Sequence, residues 1–459
     1  MSKVINNKQV FIVHSIDTEG PLFESLQAKF DMLQELYGID HVEPSIENVK
    51  NLQNKKIDLA GQEDEIALFL SNQRIRYNDS WDKIDSMLDI IMTTDYRNQL
   101  LDSYGSGWVF NWHCVDHVGY DNNPRRRDMG YHNIFDHYRD FIRTQDNSPD
   151  GVHWHFHPMS TYKDAHYCAT SYINSPELYQ ILCRRIIERN WFPSVNRAGF
   201  HVERPDSHAF LEQWIPFDIS NIALDDNSEL QNSASLRDGR LGDWRLAPSD
   251  WSHYQPSHDN YQIPGNCRRW IARCLFLLNR VVNFDQHESD KAFFRANGGQ
   301  PTIVGIVSHD FRDMELEINH AREIIANSSE RYPNVDFKFC EAVEAFRLAI
   351  WPEGISDEPL DFELTFHPKS SSNDAHIEVT TKKGDVFGPQ PFLSIKTKSN
   401  RFIHDNFDFT TEQNRWLYPF YSNTLPIDDV SKIGVAANDK YGNMCIKRLN
   451  FKDGRVFQF

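Results

Sequence analysis

Apolar and polar positions along the chain follow two regimes. Up to about residue 350, short β-type runs alternate with stretches of helical period; beyond residue 355 only β-type runs remain. Residues 9–16 (Gln-Val-Phe-Ile-Val-His-Ser-Ile) are almost continuously apolar, as expected of a strand buried on both faces. Residues 108–115, 152–158, 192–198, 219–224, 302–308 and 335–340 predict further strands. Between them, residues 132–144, 314–326 and 341–350 predict helices. Ser175-Pro176-Glu177 predicts a helix start, with Ser as N-cap, Pro in the first turn, and Leu178, Ile181, Leu182 and Ile186 on one stripe. Residues 22–103 are polar and mostly helical in period, and read as an insertion. Strands alternating with helices predict an α/β fold around a mainly parallel sheet, open or barrel-like.

The alternation stops near Trp351-Pro352-Glu353-Gly354. Residues 376–381, 392–397 and 432–437 are strand-like, and Lys383-Gly384-Asp385, Asn438-Asp439 and Lys452-Asp453-Gly454 are turn signals. The expected organisation is therefore an α/β domain over residues 1–354 and an all-β, sandwich-like domain over 355–459.

Charge and cysteine usage narrow the function. The 459 residues carry a formal net charge of −18, which argues against a nucleic-acid partner, because phosphate neutralisation needs a basic surface. No apolar run approaches the length of a membrane-spanning helix, and the N-terminus lacks the apolar core of a signal peptide. The seven cysteines are widely spaced without C-x-x-C, which suits reduced thiols and a cytoplasmic location. There is no glycine motif for a nucleotide phosphate and no Gly-x-Ser-x-Gly.

Candidate chemistry gathers at the predicted strand ends, where α/β folds build their sites. In Val-His-Trp-His-Phe-His-Pro (152–158), His153, His155 and His157 alternate with apolar residues, so a strand would point all three imidazoles to one face. Two imidazoles on one face can share a divalent ion. The first strand ends in Asp17-x-Glu19, another segment carries Asn196-Arg197-Ala198-Gly199, and a late strand ends in Ser308-His309-Asp310. Each group alone also fits a structural role.

Together these segments resemble the polysaccharide deacetylases of the NodB type, carbohydrate esterase family 4. Ile16-Asp17-Thr18-Glu19-Gly20-Pro21 looks like that family's Phe-Asp-Asp-Gly-Pro with one extra residue. His155-Phe156-His157-Pro158 looks like the Leu-His-Leu-His-Pro of a divergent subgroup, although His153 and His157 fit the commoner His-x-x-x-His. Arg197-Ala198-Gly199 and Val307-Ser308-His309 match the arginine and late-histidine motifs. The match covers roughly residues 8–350, with 22–103 outside it.

The resemblance implies a distorted (β/α) barrel holding a divalent metal, most plausibly Zn2+. Glu19, His155 and His157 would be its ligands, Asp17 the general base, Arg197 the group that orients the base, and His309 the acid for the departing amine. Asp17 and Glu19 could exchange roles. The implied reaction is removal of N-acetyl groups from an amino sugar of a surface polysaccharide or its precursor. The alternatives are O-deacetylation, hydrolysis of another amide, or glycan binding by a decayed site. Trp251, Tyr254, His258 and Tyr261 lie in an aromatic, polar stretch that suits a sugar-binding wall, or an ordinary ordered loop. Arg125-Arg126-Arg127 suits a phosphate or acidic sugar, or a solvated loop.

Overall fold

The computed structural model describes residues 7–145, 148–159, 161–165, 169–226, 242–279, 282–355, 358–452 and 455–458. Its centre is a closed barrel of seven parallel strands: β1 (Gln9–Thr18), β2 (Phe110–Cys114), β3 (Gly151–Phe156), β4 (Val195–Ala198), β5 (Phe217–Asn221), β6 (Trp270–Phe276) and β7 (Thr302–His309). Each strand pairs with its successor, and β1 closes the ring by pairing with both β2 and β7.

One edge of β1 serves two partners. Residues 9–12 pair with β8 (Asp336–Phe339), and residues 14–18 pair with β2. Helices lie outside, among them Asn133–Arg143, Pro205–Trp214, Gln286–Asn297, Met314–Arg331 and Ala342–Ile350. The strands are buried almost throughout because the lumen covers one face and helices cover the other.

Several elements differ from the sequence expectation. Strand β6 and the helix Gln286–Asn297 fall in a stretch with no predicted element. Arg273 interrupts the apolar run of β6, yet it is fully buried and ion-paired to Glu288 on that helix at 2.5 Å, so a charge that reads as a surface signal is interior. Ser175 is not the N-cap of the helix Glu177–Arg184. Its hydroxyl accepts from the Met159 backbone N–H at 2.9 Å and donates to Ser171 O at 3.2 Å, and so ties down the segment after β3.

Within residues 22–103 the chain forms six helices between Leu26 and Arg97. Phe30, Leu33, Leu52, Ile66 and Phe69 form a small separate core, whereas Ile84, Leu88 and Ile91 of the helix Trp81–Ile91 join the barrel core. Asn78 anchors this region to the end of β7, its backbone N–H donating to Phe311 O at 2.8 Å and its side chain to Asp310 O at 3.1 Å.

Beyond the barrel, strands β9 (Asp361–His367), β10 (His376–Lys383), β11 (Phe392–Thr397), β12 (Phe402–Asp405), β13 (Asp408–Phe409), β14 (Arg415–Pro419), β15 (Val430–Asn438), β16 (Met444–Lys452) and β17 (Arg455–Gln458) form two antiparallel sheets. Their orders are β13-β14-β10-β9 and β12-β11-β15-β16-β17. Leu364, Ile377 and Val379 of the first sheet meet Leu393, Ile395, Ile433 and Val435 of the second in one core. Alternation along β11 and β15 sends Phe392 and Ala436 to the opposite face, where they join Leu182, Ile186 and Trp214 on the barrel flank. Trp416, Tyr418 and Phe420 are buried within the sheets' own core, while Tyr421 is exposed.

Candidate functional site

Strand register brings the chemistry to one end of the barrel. Asp17 on β1 stands opposite both His113 on β2 and His309 on β7; His113 stands opposite His153, and His155 opposite Arg197. These are the C-terminal ends of parallel strands, the end at which barrel enzymes carry their sites.

Asp17 and Glu19 take different partners. Both Asp17 oxygens meet the buried Arg197 guanidinium, Oδ1 through Nε and Oδ2 through Nη2, the latter at 3.1 Å. The remaining Arg197 donors go to Ile219 O at 3.0 Å and His201 Nε2 at 2.9 Å. His201 is fixed in turn, its Nδ1–H donating to Ser220 O at 3.0 Å. Burial alone would raise the Asp17 pKa, but the positive charge of Arg197, with His155 and His309 nearby, holds it well below the usual carboxylate range.

Glu19 lies one residue past β1. Its backbone N–H and that of Gly20 donate to the two oxygens of Asp310, at 3.0 and 2.8 Å, and Tyr138 donates its hydroxyl to the same carboxylate at 2.9 Å. Gly20 has φ 70°, the left-handed region that turns the chain sharply here. The Glu19 carboxylate accepts from Arg127 Nη2 at 2.6 Å. Burial opposes its ionisation, but Arg127 and His157 outweigh burial and bring the pKa down to about 2.

Glu19, His155 and His157 form a compact donor group, with one ligand atom from each lying within 4.8 Å of the others. His155 Nδ1–H donates to Arg197 O at 2.8 Å, which leaves Nε2 as a lone pair directed at the site. His157 Nε2 lies 2.8 Å from His155 Nε2 and 3.6 Å from Glu19 Oε1. Burial pulls the His157 pKa down to about 3, so that ring is neutral at physiological pH. A Cβ at Gly199 would sit 2.4 Å from His157 Cδ2, so only glycine lets the loop after β4 pass the His157 ring. Two imidazole nitrogens and an ionised carboxylate are the donor chemistry that zinc and similar divalent ions take, so the residues fit a metal site.

The remaining sequence candidates divide. His309 joins the site, with Nε2 3.8 Å from Asp17 Oδ2 and its ring between Phe276 and Phe311. His153 does not reach the triad; its Nε2 contacts Asn111 Oδ1 at 3.0 Å and Glu341 Oε1 at 3.1 Å, deeper in the barrel.

The aromatic stretch also lies elsewhere. Tyr254 forms a β-bridge with Ile271, which folds the stretch onto β6. Trp251, only 1% exposed, donates to Glu288 O at 3.0 Å, and Tyr254 donates to Tyr261 O at 2.9 Å. His258 and Tyr261 line a separate groove of about 1020 Å3 that includes Arg204, Glu212 and Cys267. A sugar wall around the triad is therefore not what these four residues form. Asp310, His117 and His201, to which the sequence assigns no role, touch the site groups, and so does Arg127 of the arginine run.

No protein family, curated protein or solved structure matches the chain. Fold and site together define an α/β barrel protein with a candidate divalent-metal centre at the C-terminal mouth. Among the described residues no helix is long and apolar enough to cross a membrane.

Proposed function

We propose that the protein is a metal-dependent hydrolase that removes N-acetyl groups from an amino sugar of a surface polysaccharide or its precursor, on the plan of the NodB-type deacetylases. The observation that carries this reading is the placement of an arginine-held carboxylate and a histidine beside the Glu19/His155/His157 group, with Asp17 Oδ1 3.7 Å from His155 Nδ1 and Oδ2 3.8 Å from His309 Nε2. Glu19, His155 and His157 hold the ion. When bound, a divalent ion acidifies water and polarises an amide carbonyl.

Asp17 receives the proton of the attacking water, and Arg197 keeps its carboxylate ionised and fixed in orientation. Burial draws the His309 pKa down to about 4, so the ring is neutral before reaction. His309 therefore takes up a proton during the cycle and passes it to the leaving amine, which departs poorly without one. Its nearness to Asp17 gives that proton a short path.

The test is zinc titration followed by acetate release from N-acetylglucosamine oligomers. One bound ion, acetate and a free amine are expected. Loss of acetate from O-acetyl sugars alone would move the reading to ester hydrolysis. Absence of both bound metal and hydrolysis would overturn it.

A further inference from the structure

Beside Glu19, two side chains have hydrogen-bonding groups with no partner among the described residues. The Arg127 backbone is gripped in both directions by Asn123, whose Oδ1 accepts from Arg127 N and whose Nδ2 donates to Arg127 O, both at 2.8 Å. The guanidinium carbon lies 5.1 Å from the centre of the Phe311 ring. Nη2 meets Glu19 Oε2 at 2.6 Å, but Nε and Nη1 have no partner among the described residues, although the side chain is only 8% exposed. An unpartnered Nε recurs at other buried arginines, among them Arg185 and Arg269, but among the described residues only Arg127 also leaves a buried terminal Nη without a partner.

His117 is the second case. Its Nε2–H donates to Glu19 O at 3.1 Å, which leaves Nδ1 as the ring's other hydrogen-bonding atom, buried and without a partner among the described residues. The other two arginines of the run are accounted for. Arg125 pairs with Glu24 at 3.4 Å, and Arg126 lies over the Phe23 ring at 3.9 Å.

Two Arg127 donors and one His117 ring nitrogen, all unpartnered among the described residues, therefore flank Glu19. An acidic oxygen takes a charge-assisted bond from Arg127 Nη1, and a hydroxyl donates to the imidazole. A sugar bearing an acidic substituent presents both. We infer that Arg127 and His117 form a subsite for an acidic group, carboxylate or phosphate, and a neighbouring hydroxyl of the saccharide. The inference rests on the deacetylase reading for the saccharide and adds that the substrate is anionic near the reacting centre. A purely structural Arg127 would need only its contact with Glu19.

The test is calorimetric titration of the zinc-loaded full-length protein with glucuronate, glucose 6-phosphate and glucose. Glucuronate distinguishes a carboxylate ligand and glucose 6-phosphate a phosphate ligand. At least one should bind about 10–100-fold more tightly than glucose. Arg127→Gln and Arg127→Lys should both abolish that preference, Lys because it keeps a cation for Glu19 but has no second nitrogen to donate to the ligand. His117→Phe should weaken the preferred acid several-fold.

Zinc content and thermal melting are read on every variant; should the Gln protein fail to fold, the Lys protein decides. Equal binding of all three sugars, or an anion preference that survives both Arg127 variants, overturns the subsite. Acetate release from N-acetylglucosamine oligomers is scored separately. Its absence would sink the deacetylase reading, whereas the anion preference alone decides this one.

Discussion

Replacing Asp17 by Asn removes the one carboxylate among the described residues that is bonded to Arg197, a guanidinium with 0% exposure. Its other partners, Ile219 O and His201 Nε2, are neutral, so the variant leaves a buried cation uncompensated. Breaking a buried pair from one side costs about 3–5 kcal/mol. Asn retains one acceptor oxygen but turns an amide toward guanidinium donors, so the lower end, about 3 kcal/mol, is expected.

The double variant Asp17→Asn/Arg197→Met removes both charges and should recover most of that loss, a coupling of about 2–3 kcal/mol. Urea unfolding followed by tryptophan fluorescence, with zinc content measured in parallel, gives both quantities. Asp17→Asn should keep its zinc and lose nearly all turnover, whereas Glu19→Ala should lose the zinc. A cost below about 1 kcal/mol with no coupling would refute the view that Asp17 balances Arg197. Zinc lost from Asp17→Asn but kept by Glu19→Ala would reverse the two acids.

His309→Ala should bind zinc normally and hydrolyse amides about 10²–10⁴-fold more slowly, with a smaller defect on an activated ester that needs no leaving-group proton; steady-state rates on matched amide and ester substrates check this. Phe392→Ala should cost about 3–5 kcal/mol in chemical denaturation, because the fully buried ring packs 5.1 Å from Trp214 and 5.5 Å from Phe192 across the seam between sheets and barrel. A chain ending near residue 354 should correspondingly expose that seam and aggregate in sedimentation. Glu317 is buried in the helix Met314–Arg331; burial raises its pKa to about 7, with Arg312 and Ser308 only partly opposing. The folded protein thus holds a proton there that the unfolded chain releases above its ordinary value of 4.5, so this contribution is present at low pH and lost as pH rises through about 7, a span of about 3 kcal/mol. Glu317→Gln should flatten that slope and melt higher than wild type at pH 8.

How far the sequence reaches depends on the range of the interaction involved. Alternation within one strand is local, so His155 and His157 could be placed on one face from sequence spacing alone. The same reasoning put His153 on that face, but the face runs several layers deep, and side-chain contacts with Asn111 and Glu341 hold His153 away from the triad. The long apolar runs of β1 and β7 and the β-only sequence after residue 355 were legible because burial on both faces, or on one, leaves its own pattern. Strand β6 was not, because Arg273 and Glu288 cancel each other's charge only once the helix packs on the strand.

Ring closure likewise depends on β1 sharing one edge between β8 and β2, which no single segment encodes. Trp251 and Tyr254 have the composition of a sugar wall, yet a β-bridge to Ile271 turns that stretch inward. Arg127 and Asp310 reach Glu19 only in the folded barrel, from positions more than a hundred and nearly three hundred residues further along the chain. Residue type and local period set which groups can act. Which of them meet is decided by long-range pairing, because a charge or a donor acquires its role from the partner that tertiary packing supplies.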